Sequence, residues 1–380
     1  MSTHSTRSTL AALMTAVIWA PLIHAQAVAT APAAPTLSFS GYVDADFASS
    51  FGSELKDPQH LTGLEVDLTT TVTFSPTVNA VLYTTMNDGA IPAQGAGNTW
   101  APVKFDGATL NWQYDPKTLI HVGDIINGSG YFNYYLNKRT ALVVGEHALR
   151  GVGIERDGWT VATGATGLGA VDTAGNPTAT SQWATYVKYV YPLNEKMTLA
   201  PSLKYVGGVP GATPVNGGLS FDGSFGELSL SADAALNYYN SDTDPGFSVL
   251  VEPTWARGKY TVAGALYFNE KGSDPGRFAP NGPAQTVTGA ALDHAFIYVE
   301  PGYAYSDRVA FGLPLEYHDA HLDVATTLGY DQSVWVVPTV YVYPGSGIQW
   351  WIWGQVITPL TGIGPKDPLI FAGSELIFKF

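Results

Sequence analysis

The stretch Leu369-Ile370-Phe371-Ala372-Gly373-Ser374-Glu375-Leu376-Ile377-Phe378-Lys379-Phe380 decides the fold. Read back from the end, Phe380, Phe378 and Leu376 fall on one face of a strand, and Lys379 and Glu375 fall on the other. The apolar face weakens at Ser374 and resumes with Ala372 and Ile370. A water-soluble chain gains little by ending mid-strand on an exposed Phe. A membrane barrel gains closure, because its last strand pairs with its first and leaves no edge in the bilayer. An ordinary core strand at a chain end is the competing reading.

The opposite end weighs against that competitor. Met1 to Arg7 is polar with one Arg, Leu10 to Ile23 is apolar, and Ala25-Gln26-Ala27 is a small-x-small cleavage site. Residues 1–27 therefore read as a secretory signal peptide, with cleavage after Ala27 or after Ala25. Residues 28–36 read as a periplasmic linker rich in Ala and Pro, and residues 37–380 as the barrel. The chain has 46% hydrophobic, 12% aromatic and only 13% charged residues, with 0 Cys. Soluble domains carry about 25% charged residues. Past the signal peptide no apolar run is long enough for a membrane helix, so the apolar residues are dispersed over many short strands. No segment has a convincing helical period.

Strands and turns recur with a regular beat. Leu64 to Phe74 alternates, turns at Ser75-Pro76-Thr77 and returns over Val78 to Met86. Similar hairpins turn at Asp115-Pro116-Lys117, Asp157-Gly158, Pro192 to Lys196, Arg257-Gly258, Ser306-Asp307 and Pro344-Gly345. Longer polar stretches lie between them, as in Ala48 to Thr62, Asp88 to Lys104 and Glu270 to Asp293. Alternation of short and long connections is the asymmetry of an outer-membrane barrel. Seven such hairpins with a first strand over Leu37 to Phe47 and a last over Leu369 to Phe380 make 16 strands. An eighth hairpin, turning at Asp222-Gly223 and returning over Glu227 to Tyr238, makes 18. Parity favours 18, with 16 as the alternative, and a barrel of that size holds an aqueous channel.

The terminal strand, with Leu376, Phe378 and Phe380 as an assembly signal, resembles that of the bacterial outer-membrane porins. The resemblance implies an all-β, transmembrane, antiparallel up-and-down barrel, recognition by the barrel-assembly machinery and a homotrimer in outer-membrane lipid and lipopolysaccharide. It reaches the class and leaves general and substrate-selective porins both open.

Alternation also assigns faces. Asp44, Asp46, Glu65, Asp67, Glu227, Asp233, Glu252, Glu300, Glu316 and Glu375 are expected to face the lumen, with Lys188, Lys204 and Lys379 as the inward bases. With residues 1–27 removed the net charge goes from −14 to −15, because Arg7 leaves and no acid does. An acidic lumen favours small cations and excludes nucleic acid as a partner. Tyr191, Tyr205, Trp255, Tyr317, Trp350 and Trp351 fit interfacial girdles. Tyr42, Tyr186, Tyr267, Trp351 and Trp353 are the candidates for a sugar-stacking wall.

The segment Asp124 to His147 is too apolar for a loop free in water. It follows the fifth strand, where general porins carry their constriction loop. Folded inward, it would bring Tyr131, Tyr134 and Tyr135 into the channel, and Asp124, Lys138, Arg139 and Glu146 would set a transverse field. The alternative is an external subunit contact. The acidic Pro-Glu-Phe-Gly pattern of general porins is absent.

No cofactor or metal is expected. His318-Asp319-Ala320-His321 would point its two His to opposite faces of a strand. His121, His147 and His294 have no evident Ser or acid partner for catalysis. The expected function is passive diffusion of small hydrophilic solutes with a preference for cations. The alternatives are a carbohydrate- or nutrient-selective porin, and a barrel enzyme or surface-binding barrel without an open pore.

Overall fold

The computed structural model describes residues 34–51, 59–87, 104–133, 141–166, 182–207, 215–238, 246–270, 294–320, 330–362 and 367–380. The expected signal peptide, and the linker before Ala34, lie outside the described residues. The strands are β1 Thr36–Phe51, β2 Gln59–Ser75, β3 Val78–Asn87, β4 Lys104–Asp115, β5 Thr118–Asn133, β6 Ala141–Arg156 and β7 Trp159–Thr166. Then follow β8 Gln182–Tyr189, β9 Tyr191–Asn194, β10 Met197–Gly207, β11 Val215–Phe225, β12 Leu228–Tyr238, β13 Gly246–Arg257 and β14 Tyr260–Glu270. The last are β15 His294–Ser306, β16 Val309–Gly312, β17 Leu315–Ala320, β18 Tyr330–Val336, β19 Thr339–Gly345, β20 Ile348–Gly362 and β21 Leu369–Lys379.

Three staves are interrupted: β8 runs into β9, β16 into β17 and β18 into β19, so the 21 strands make 18 staves. Two of the breaks fall at Leu313-Pro314 and Val337-Pro338. Proline has no N–H to give the ladder, so it breaks a strand locally. The gaps are still bridged: the Val337 N–H donates to the Pro314 carbonyl at 2.9 Å and the Gly354 N–H to the Pro338 carbonyl at 3.0 Å.

Every pairing is antiparallel, and each stave pairs with the next. The ring closes where β1 meets β21, from Tyr42 opposite Lys379 to Phe51 opposite Ile370. At one end, adjoining staves are joined by two-residue turns: 76–77, 116–117, 157–158, 195–196, 226–227, 258–259, 307–308 and 346–347. Several demand positive φ. Asp157 and Gly158 take +47° and +85°, the paired left-handed conformation that matches strand twist in a tight hairpin. Gly226, Gly258 and Gly347 are also positive.

The expected eighth hairpin exists, but its turn is displaced. Asp222 and Gly223 lie inside β11, and the chain turns at Gly226 and Glu227. Gly223 is a glycine for another reason. On the outer surface the Phe221 and Phe225 rings stack 6.4 Å apart, and a Cβ on Gly223 would fall 2.7 Å from Phe221 and 3.0 Å from Phe225.

Candidate functional site

Large apolar residues are exposed all round the ring, and several charged and polar ones are buried, unlike in a soluble protein. Polar residues such as Asp44, Ser248, Glu316, Ser333 and Glu375 are buried, while Leu203, Leu219, Leu266, Ile297 and Phe378 are exposed. Because side chains alternate along each strand, the exposed apolar set shares one face, the outside of the ring. A closed ring with an apolar belt outside satisfies every mid-strand backbone group internally, which is the condition for crossing lipid. Aromatic pairs gather by the tight-turn end, with Trp159 4.5 Å from Tyr189 and Tyr260 5.3 Å from Tyr303. Such belts suit a headgroup boundary.

The register places the acids inside. Asp44 stands opposite both Glu65 and Ile377, Asp46 opposite Glu375, and Asp67 opposite Tyr42. The Tyr42 hydroxyl donates to Glu65 Oε1 at 3.0 Å. Asp44, Asp46 and Glu375 each bring one carboxylate oxygen within 4.8 Å of the others. Further round, Ser220 pairs with Asp233 and Ser231 with Glu252. Asp222, which the displaced turn had hidden, joins them and accepts from Ser231 Oγ at 2.9 Å. Glu300 accepts from the Tyr298 hydroxyl and, at 2.6 Å, from the Tyr341 hydroxyl. Glu316 meets His318 Nε2 at 2.7 Å. The His318 ring lies between Phe296 at 4.8 Å and Trp335 at 4.3 Å, and its sequence companion His321 lies outside the described residues. Lys204 stands opposite Tyr186, and Lys188 opposite Ser202. Glu227 departs from its expected place: it is an exposed turn residue, 3.4 Å from Arg257, because the turn took it out of the wall.

The segment after Asp124 is a β-ribbon. β5 stays paired with β6 from Thr118 to Asn133, with Tyr131 opposite Val143 and Gly128 opposite Glu146. Its sideways pairing stops early: with β4 at Gly123, and between β6 and β7 at Arg150. Beyond that level the ribbon has no lateral strand partner among the described residues. Gly123, Gly151 and Gly164 are successive cross-strand partners at the departure line. Gly123 has φ +125°, and a Cβ on it would run into the Ala108 carbonyl. Cβ atoms on Gly151 and Gly164 would run into the carbonyls of Thr163 and Arg150. Glycine alone tolerates both the conformation and these approaches.

The ribbon turns inward there. Ile125 and Leu149, one on each of its strands, are buried against Ala162 and Tyr186 on β7 and β8. Farther on, β5 approaches β11 and β12, and β6 approaches β12 and β13. Those staves lie five and six places away round the ring, so the approach crosses the lumen rather than following the wall. An apolar inner patch of Ala235, Leu250, Ala265, Tyr267, Phe296 and Tyr298 lies in that direction. Asp124 anchors the base. Its carboxylate takes the Arg150 Nε–H at 2.6 Å and an Nη–H at 3.1 Å, and the Ala108 N–H at 3.0 Å. Tyr131 and Glu146 are in the strands of the ribbon, with side chains outside the described residues; Tyr134, Tyr135, Lys138 and Arg139 lie wholly outside them.

No family model matches the sequence, and no curated protein matches it. Solved structures do match in fold. OpdK of Pseudomonas aeruginosa is 9% identical, with a TM-score of 0.55 over 91% of this chain and 98% of its own. OccAB4 of Acinetobacter baumannii is 12% identical, with a TM-score of 0.53 over 92% and 99%. A BenF-like porin of Pseudomonas fluorescens Pf-5 is 10% identical, with a TM-score of 0.52 over 90% and 98%. At these identities the likeness is one of fold. The chain folds as a bacterial outer-membrane porin, a closed 18-stave antiparallel barrel with its apolar belt outside and its carboxylates within.

Proposed function

We propose that the chain is a channel for passive diffusion of small hydrophilic solutes across the outer membrane, with a preference for cations. The observation that carries the reading is the closed wall of 18 staves, with an apolar belt outside and carboxylates among its inward residues, a size of barrel that holds an aqueous channel. Asp44, Asp46, Glu65, Asp67, Glu300 and Glu375 face inward on the arc from β15 through β21 to β2, against Lys188 and Lys204 on β8 and β10. Fixed negative charge in a confined lumen raises the local cation concentration and opposes anions. The inturned ribbon is the constriction. Export of the chain by residues 1–27 and assembly as a homotrimer belong to the same reading.

Liposome swelling tests it. Vesicles containing the folded protein should swell in small neutral and cationic solutes, with rates that fall as solute size rises. Vesicles that swell no faster than protein-free ones would contradict the channel.

A further inference from the structure

The ribbon leaves the two sides of the lumen unlike one another. From β7 to β14 the inner face of the wall is covered: Tyr186, Ser248 and Leu250 are 0% exposed and Ala265 is 1%. Along β2 and β3 it stays open. Glu65, Asp67 and Thr69 are half-buried. Tyr83, the inward cross-strand partner of Thr69, is 40% exposed. The packing identifies the cover on the first side. Ile125 and Leu149 at the base of the ribbon lie on Ala162 and Tyr186, and its farther part approaches β11, β12 and β13. Between those two zones runs β10, paired with β8 on one side and β11 on the other.

That stave carries a charge. Lys204 points inward from β10, opposite Tyr186, and is only 8% exposed. On the wall of an open aqueous lumen a lysine would extend its ammonium into water. Lys188 on β8 acts electrostatically on Asp233, itself 7% exposed, so opposite charges offset one another on the covered side. Glu65 and Asp67 lie on the side left open. We propose that the ribbon sets charge selectivity by covering the basic sector of the wall. The aqueous path then runs between the ribbon and the β1–β4 side. A passing ion meets the Glu65 and Asp67 carboxylates across water, and Lys204 is behind the ribbon. Charges in contact with lumen water set the local ion concentration, while locally offset ones have little reach. The proposal rests on the channel reading and assigns its charge preference to a named element. Charge counting predicts the opposite: residues 126–147 include Lys138, Arg139 and Glu146, so removing them takes away more positive charge than negative and would strengthen cation preference.

The test is the reversal potential between unequal KCl concentrations for four barrels: the full chain, Lys204→Met, the chain lacking residues 126–147, and both changes combined. The shortened barrel should prefer cations less than the full chain. Lys204→Met should restore cation preference in the shortened barrel, with a shift severalfold larger than in the full chain. Equal shifts in the two backgrounds, none in either included, would overturn the proposal, as would a shortened barrel that prefers cations more. The chain has 0 Cys, so one introduced thiol reports access to water without the deletion. A cationic methanethiosulfonate should label Thr69→Cys and cut its current, and should leave Ser248→Cys unlabelled in the folded barrel. Equal labelling of the two would overturn the covering. Absence of current in the full chain would count against the channel reading instead. Labelling followed by mass then decides the covering alone: Thr69→Cys labelled with Ser248→Cys protected supports it, and equal labelling overturns it.

Discussion

Gly41 and Phe380 exchange both of their backbone hydrogen bonds, N–H to carbonyl at 3.0 Å in one direction and 3.1 Å in the other. The last residue is therefore tied to the first stave and takes part in closing the ring. Deleting Phe380 removes both bonds and a lipid-facing ring. Folded yield, read from heat-modifiable electrophoretic mobility, should fall severalfold. The channels that do form should conduct as wild type, because the lost ring is on the outer surface. Normal yield would separate closure from this residue.

The departure line of the ribbon should be intolerant of side chains. Gly123→Ala would hold a Cβ at φ +125° against the Ala108 carbonyl, a strain of about 1–3 kcal/mol. Gly217 has open space where its Cβ would go, so Gly217→Ala serves as the control. Urea titration of the folded barrel should show a loss for the first and little change for the second.

Removing residues 126–147, most of the ribbon, should raise single-channel conductance severalfold, because it clears the chord across the lumen. Unchanged conductance would mean that the ribbon is not the constriction. Arg150→Gln alone should cost at most about 1 kcal/mol, since the Arg150 side chain is 57% exposed and its ion pair with Asp124 is screened.

The two faces of the wall should respond oppositely to charge. Leu266 is 49% exposed on the outer face of β14, and Leu266→Arg should cost about 2–4 kcal/mol if it lies near the bilayer midplane. Thr69→Arg, on the inner face of β2, should cost far less and should weaken cation preference. Refolding into lipid vesicles with denaturant titration measures the first, and reversal potentials the second.

Much of this was legible because strand alternation has an exact period of two. That period gave the faces of Asp44, Glu65, Glu316 and Glu375 from the letters alone, and the spacing of turns gave the 18 staves. What misled was turn chemistry. Asp222-Gly223 reads as a hairpin turn, but Gly223 is spaced for two stacked Phe rings, a contact across i and i+4 of one strand that turn statistics do not register. Glu227 was misplaced as a consequence. The apolar character of Asp124 to His147 left an inward fold and an external contact both open, and over the described residues β5 and β6 pair along it as a ribbon. Its hinge rests on three glycines that become neighbours only when β5, β6 and β7 are in register. The meeting of Tyr298 and Tyr341 on Glu300 was equally hidden, since the latter two stand 41 residues apart.

The most direct test of the central claim is the zero-current potential of the folded protein in a planar bilayer separating unequal KCl concentrations. Stepwise channel currents are predicted, with a reversal potential of the sign set by faster potassium passage, and a preference that weakens as salt screens the wall. A folded barrel that inserts and passes no current, or one whose reversal potential has the sign of chloride preference, would contradict the account.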